Sequence, residues 1–389
     1  MQFEIERLSQ KELFKPKDFS LLKSIFCPLI NRIKKNYPKI VIVAGTNGKG
    51  ETSRFISSIC FKKNKFNNVA LWTSPHVLSF NERFNFNGKD LSDLDIQESL
   101  DTYLELFPEN SCALSFYELS FWIFCHQAMK RQSDLLVLEV GLGGRLDAVN
   151  LFDADISVLT SISRDHTEYL GSTYKKILKE KLGVVRRNSN FIFSTRTNYL
   201  TKLVKDFAME IKVKDLIYVS PCTMENVNYH QRNFNMAVHV AEKLGINLSS
   251  DETYQNFLPF GFGKEVSFEG KKISFSNAHN IDGHREFLND LNSSCSKNVI
   301  LFFSKRPNKE IQQIFKMYKN KFGNKLSIAG IDNHYKILPL NKLKDIGIGG
   351  CEFFDFTDPK IVWRELSIFE NDLLMVGSNF IRGHICRHL

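Results

Sequence analysis

No run of this 389-residue chain is long and apolar enough to cross a bilayer as a helix. Its first residues, Met1-Gln2-Phe3-Glu4-Ile5-Glu6-Arg7, have no basic-then-apolar layout, which argues against an export signal. The eight cysteines (Cys27, Cys60, Cys112, Cys125, Cys222, Cys295, Cys351 and Cys386) fall at neither metal-ligand nor redox-pair spacing and make no dense framework. Reduced thiols in a cytoplasmic protein are the expectation. Internal repeats and low-complexity tracts are absent. With 43% hydrophobic and 24% charged residues, the composition is that of a folded chain with enough apolar residues for two cores. The net charge is +9, but the lysines are spread, and the densest groups, Lys62-Lys63-Lys65 and Lys175-Lys176-Lys179-Lys181, read as solvated helix faces. Nucleic acid and membrane are therefore not expected partners, whereas an anionic small substrate suits the charge.

Short apolar runs alternate with amphipathic stretches. Lys39–Val43, Val69–Trp72, Leu135–Val140, Ile156–Ser161 and Asn190–Ser194 are predicted to be buried parallel strands. Helices are predicted at Gly48–Phe61, Tyr117–Arg131, Tyr174–Val184 and Asn233–Leu244. A second alternation places strands at Lys272–Ser276, Asn298–Phe303, Leu326–Gly330, Glu352–Phe356 and Leu373–Gly377, with helices at Asp282–Leu291, Lys309–Lys321 and Pro359–Phe369. The turn formers of Leu258-Pro259-Phe260-Gly261-Phe262-Gly263 put the boundary between them, giving domains 1–260 and 261–389. The predicted fold class is α/β: a doubly wound, mostly parallel sheet followed by a smaller α/β domain.

Functional-looking residues follow one strand after another, where open α/β sheets bind ligands. The first strand runs into Ala44-Gly45-Thr46-Asn47-Gly48-Lys49-Gly50-Glu51-Thr52-Ser53, a glycine-rich turn with one lysine that opens a helix. Such a loop closes backbone N–H groups around phosphate, and the lysine and helix end favour the anion. It departs from the strict form, because Gly50 rather than Ser or Thr follows Lys49. The second strand leads to Thr73-Ser74-Pro75-His76, the third to Glu139 and a Gly141–Gly144 turn, and the fourth to Arg164-Asp165-His166. An acidic residue at a strand end beside a phosphate loop is a Mg²⁺ holder, so Glu139 is the metal candidate, and Ser74 can add an oxygen. By itself His166 reads as a hydrogen-bonded structural histidine, since Mg²⁺ prefers oxygen, and Ser74 reads equally as a turn residue.

The same residues carry a family likeness. Ala44-Gly45-Thr46-Asn47-Gly48-Lys49-Gly50 resembles the ATP loop of the folylpolyglutamate synthase and dihydrofolate synthase family of the Mur ligase superfamily. Thr73-Ser74-Pro75-His76 with Glu82-Arg83, the run from Glu139 to Asn150, and Thr160-Ser161-Ile162 through Asp165-His166, Tyr169-Leu170-Gly171 and Glu180-Lys181-Leu182-Gly183 resemble its next motifs, in order. Ala278-His279-Asn280 and Val376-Gly377-Ser378 are weaker echoes.

The resemblance implies a Mur ligase central-type ATPase domain and a Rossmann-like C-terminal domain. It implies an ATP- and Mg²⁺-dependent ligase that adds L-glutamate to dihydropteroate, reduced folates or both through an acyl phosphate. Asn47, Gly48, Lys49, Gly50, Thr52, Asn235, Lys264 and Ser276 would contact ATP. Ser74, Glu139 and His166 would hold two metal ions, which reverses the bland reading of His166. Lys181 would be carbamylated, and Lys49, Lys181 and His166 would be the catalytic set. Phe116, Tyr117, Glu118, Leu119, Leu146, Asp147 and Ala148 would contact the pterin, and a monomer is implied. Only 44 residues precede Gly45. That sets the expectation of no nucleotide-sugar domain of the muramyl ligase kind ahead of the loop.

The chain departs from the family pattern at three places. Glu51 stands where Ser or Thr is usual, Phe262-Gly263-Lys264 replaces Pro-Gly-Arg, and Ser276-Asn277-Ala278-His279-Asn280 replaces Asp-Gly-Ala-His-Asn. Around His230-Gln231 the spacing to Asn235 is one residue off the pattern. Two alternatives to the folate ligase stay open: a non-catalytic pterin- or nucleotide-binding paralogue, and ligation of another amino acid or acyl substrate. A Glu51 facing the phosphates unpaired would favour the non-catalytic reading, because a bare carboxylate repels triphosphate. In an active enzyme Glu51 is expected to point away or meet a cation, with Thr52 as the nearest hydroxyl.

Overall fold

Runs that are apolar on both faces build the centre of a sheet covered on both sides. The computed structural model describes residues 5, 19–108, 114–221, 229–258, 265–291, 297–334, 336–378 and 380–386. The chain divides into two units, residues 1–76 with 80–260, and residues 77–79 with 261–389.

The strands of the first unit are β1 (Lys39–Ala44), β2 (Val69–Trp72), β3 (Phe84–Phe86), β4 (Lys89–Asp90), β5 (Leu135–Glu139), β6 (Ile156–Leu159), β7 (Asn190–Phe193) and β8 (Asp215–Tyr218). They lie in the order β4-β3-β2-β5-β1-β6-β7-β8. Pairing is parallel from β2 through β8, and β3 and β4 add an antiparallel edge beside β2. β1 shows why the centre is apolar throughout. Val41 and Val43 face a core with Phe55, Ile56, Ile59, Phe234 and Val240. Ile40, Ile42 and Ala44 face the opposite core with Phe26, Leu138 and Phe121.

All five predicted strands of this unit are present, at β1, β2, β5, β6 and β7. The β3–β4 hairpin was not anticipated, although Asn87-Gly88 between the strands is a hairpin signal. Both residues have positive φ, +52° and +78°, as a tight type I′ turn requires. Helices Phe19–Lys34, Asp93–Leu106 and Asn198–Ile211 were also not anticipated. The first contains Pro28, yet buries Leu22, Ile25, Phe26, Leu29, Ile30 and Ile33 along one stripe. The second has a Ser92–Asp95 capping box.

The second unit holds β9 (Val266–Phe268), β10 (Lys271–Ser276), β11 (Asn298–Leu301), β12 (Leu326–Gly330), β13 (Glu352–Asp355) and β14 (Leu373–Val376). Their order is β13-β12-β11-β14-β10-β9, parallel except for β9. Its two faces bury Ile300, Phe302, Phe356 and Met375 on one side and Val299, Leu301, Ile311 and Tyr318 on the other. The predicted α/β class with two sheets of mainly parallel strands is thus observed. The hinge residues Phe262-Gly263-Lys264 lie outside the described residues. Among the described residues no helix is long and apolar enough to cross a membrane.

Candidate active site

After β1 the chain turns at Gly45 and Gly48, with φ of +153° and +88°. A Cβ on Gly45 would lie 2.0 Å from Thr160 Oγ1, so glycine is what lets the loop rest on the chain after β6. That flank is hydrogen-bonded throughout. Thr46 N–H donates to Ser161 O at 3.0 Å, and Asn47 N–H donates to Ser161 Oγ at 2.8 Å. Thr160 Oγ1 donates to Asn47 O at 2.6 Å. Gly48 then caps the helix Lys49–Lys62 with no side-chain cap bond. The first-turn amides and the positive helix end are left for an anion. Lys49 Nζ, from the first residue of the helix, donates to Thr46 O at 3.3 Å.

Because β2, β5 and β1 are neighbours, their carboxyl ends meet. Glu139 is in register with Val43, at the end of β5 beside the loop. Its buried Oε2 accepts the Ser74 N–H at 2.9 Å. A Cβ on Gly50 would come 3.2 Å from the same oxygen, so loop and carboxylate are packed together. Burial pushes the Glu139 pKa up, and Lys49, the Ser74 amide, Arg54 and Arg83 oppose that shift. A buried carboxylate beside open amides and next to a serine is an oxygen-donor set that fits Mg²⁺. That ion commonly takes one or two carboxylates and completes its shell with phosphate and water. Among the described residues no three His, Cys, Asp or Glu side chains gather as a metal cage. His166 is exposed on the segment after β6, at φ +49°, with Nδ1 4.0 Å from Glu168 Oε1.

Lys181 enters from the helix Tyr174–Leu182 and is buried. Its Nζ donates to Gly45 O at 2.7 Å. Burial lowers its pKa to about 7, and repulsion from Lys49 adds to the shift. Near neutral pH a large share of this lysine is therefore a free amine.

Glu51 does not face the cradle unpaired. Its buried carboxylate takes Asn233 Nδ2 at 2.5 Å and lies 2.5 Å from His230 Nδ1. Both partners sit on the helix Tyr229–Lys243, which begins one turn earlier than predicted and so puts residues 230 and 233 on one face. Asn235, the residue implied for ATP, accepts a 2.8 Å hydrogen bond from Gln231 Nε2 on its own helix. Asn233 was not among the residues expected at the site. Thr52 is wholly buried, and among the described residues its Oγ1 has no hydrogen-bond partner. Ser276, at the end of β10 in the second unit, accepts Ala278 N–H at 3.3 Å.

Residues 114–258 match the Mur ligase middle domain family. The dihydrofolate synthase/folylpolyglutamate synthase of Haemophilus influenzae is 38% identical over 182 residues, covering 46% of this chain and 40% of that protein. The Escherichia coli K12 protein of the same name is 37% identical over 159 residues, covering 40% and 36%. The matched part thus spans well under half the length of these curated relatives. Solved structures agree over nearly the whole fold. E. coli FolC in complex with DHPP and ADP gives a TM-score of 0.79 at 23% identity, covering 100% of this chain and 96% of that one. The Yersinia pestis bifunctional enzyme with AMPPNP and Mn gives 0.79 at 23%, covering 97% and 96%. The resemblance read from the motifs is borne out, and so is the fold class.

Within the matched segment, the residues implied for the pterin divide by environment. Tyr117 OH donates to Asp147 Oδ1 at 2.9 Å and accepts from Gly141 N at 3.1 Å and Trp72 Nε1 at 3.3 Å. Asp147 Oδ2 also takes the amides of Gly141 and Leu142, at 3.0 and 3.1 Å, so this pair shapes the Gly141–Asp147 turn. Burial raises the Asp147 pKa to about 6 against the pull of those donors. Glu118 closes a capping box with Ser115. Leu119 and Ala148 belong to the core, whereas Leu146 is 46% exposed. Phe116 is half-buried under Arg83, whose guanidinium carbon stands 5.2 Å from its ring centroid. Arg83 Nε in turn donates to His76 Nδ1 at 3.0 Å.

Proposed function

We propose that this chain is an ATP- and Mg²⁺-dependent ligase that joins L-glutamate to dihydropteroate, a reduced folate or both. The observation that carries the reading is the packing of Glu139 and Ser74 against a phosphate loop whose helix amides are open. The ligands named for the similar structures, ADP with DHPP in one and Mn with AMPPNP and L-glutamate in another, are what such a site would take.

The loop amides and Lys49 hold the triphosphate. Glu139 and Ser74 would hold Mg²⁺, with His166 as a further ligand, and the ion would supply charge neutralisation between the γ-phosphate and the substrate carboxylate. The substrate carboxylate oxygen bonds to the γ-phosphorus as the bond to ADP breaks. The glutamate amine then attacks the acyl carbon, the C–N bond forms, the C–O bond to phosphate breaks, and the amine proton passes to solvent. The chain contributes position and charge and needs no covalent nucleophile. Lys181, held partly neutral by burial, has the free amine that carbamylation by CO₂ requires. Glu51 is directed at His230 and Asn233 rather than unpaired toward the phosphates, which is the arrangement expected of an active enzyme.

The test is ADP release with Mg²⁺, L-glutamate and either pteroate or folate acceptor, run side by side. Release that needs both glutamate and one acceptor supports the ligase. Glu139→Ala should lower it at least about a hundredfold while leaving the unfolding midpoint within a few degrees. No release with either acceptor sinks the reading.

A further inference from the structure

The carboxylate of Glu51 is an expensive feature. It is 5% exposed, sits in the first turn of the phosphate-loop helix, and is held by a fully buried amide and a half-exposed imidazole. Burying a charge costs several kcal/mol before its partners offset it, so such pairs are poor sources of stability. The two helices it links do not need it to dock. Phe55 and Phe234 meet edge to face at 5.4 Å, and Ile56, Ile59, Ala237, Val240 and Ala241 complete an apolar seam between them. Buried polar contacts in such a seam can instead set register.

Asn233 shows what that register controls. The position a Cβ would take on Gly48 is 2.7 Å from Asn233 Oδ1, so the amide fills the space beneath the loop's left-handed residue. Gly48 is also the residue at which the open helix amides begin. One end of the Asn233 amide is therefore bonded to Glu51 and the other lies against Gly48. His230, one turn back on the same helix and stacked near Tyr254, closes the other carboxylate oxygen.

We propose that Glu51 is a positioning residue for the nucleotide. Clamped by His230, it fixes the Asn233 amide against Gly48 and so sets the loop backbone that receives the triphosphate. The clamp rests on the nucleotide-binding reading above, and it assigns a role to the residue where the chain departs from its family's Ser or Thr. It also explains why a carboxylate is tolerated beside a triphosphate: its charge is spent on the neighbouring helix rather than presented to the anion.

The test is a double-mutant cycle on Mg·AMPPNP affinity by isothermal titration calorimetry, with the thermal midpoint measured on each variant. Glu51→Ala and Asn233→Ala should each weaken binding about tenfold. The double variant should be no more than about twentyfold weaker, because the residues act through one contact. Glu51→Gln, which keeps the volume, should fold if Glu51→Ala does not, and should also weaken binding. Effects that multiply to about a hundredfold would show Glu51 acting independently and overturn the clamp. So would a fall in the midpoint with unchanged affinity, which is the mark of a purely structural tie. If the unsubstituted protein binds no Mg·AMPPNP, the nucleotide reading falls and the clamp falls with it. Binding that is indifferent to Glu51 overturns the clamp alone.

Discussion

The phosphate loop is held from two sides by different means. On the β6 side, backbone and hydroxyl groups of Thr160 and Ser161 meet Thr46 and Asn47, and Lys181 Nζ reaches Gly45 O. On the side of the helix Tyr229–Lys243, two side chains reach a carboxylate, and an amide fills the place of a missing Cβ. The first side is built of backbone and short hydroxyl groups that cannot move far, with one buried lysine. The second is built of flexible side chains, which can yield at modest cost. The rigid side should govern whether the loop forms, and the flexible side how well it binds.

Two glycine substitutions test that contrast most severely. Gly45→Ala drives a Cβ to 2.0 Å from Thr160 Oγ1 and adds strain at φ +153°. It should destabilise the fold by roughly 3 kcal/mol in urea unfolding and abolish Mg·AMPPNP binding. Gly48→Ala meets the end of the Asn233 side chain, which can rotate aside, and should cost roughly 1–2 kcal/mol. Equal losses would mean that the two flanks are alike in stiffness.

Lys181 gives the rigid side a pH signature. Its folded pKa is about 7 against an ordinary lysine value of 10.5, so between those values the unfolded chain holds the extra proton. Stability then rises with pH through that window, by at most about 1.4 kcal/mol per unit, and the penalty is full below it. Lys181→Met should therefore be more stable than the parent at pH 6 and lose that advantage by about pH 10, in CO₂-free denaturant titrations. A difference independent of pH would mean that the lysine is not held neutral by burial.

The smallest effect separates two asparagines. Asn235 bonds within its own helix, and Asn233 reaches the loop. Asn235→Ala should change nucleotide affinity by no more than about twofold, against about tenfold for Asn233→Ala. A reversed order would move the flexible flank's contact by half a turn.

Much of this site is legible in the residues because it is local chemistry repeated at strand ends. A β-branched run, a glycine turn and a lysine imply a phosphate loop wherever they occur together. An acid after an apolar strand lands at the carboxyl end of the sheet by the same logic. Where expectation and structure part, the cause is direction. The predicted start of the helix at Asn233 hid His230 from the face that meets Glu51. The bonds that Tyr117 and Asp147 make within the Gly141–Asp147 turn were likewise not readable from the sequence, since only packing shows where their oxygens are directed. Pro28 masked a helix whose apolar stripe becomes decisive only against the core.

The order of motifs along the chain was enough to establish the two-sheet α/β class and the convergence of Gly45–Gly50, Ser74 and Glu139. Backbone preference and hydrophobic period are properties of neighbouring residues and survive without tertiary context. The fate of Glu51 could not be read that way. A carboxylate in a first helical turn can cap, repel or pair, and the outcome depends on a helix about 180 residues downstream. Folding brought His230 and Asn233 to it, and burial favours that pairing, because an unpartnered buried charge costs several kcal/mol.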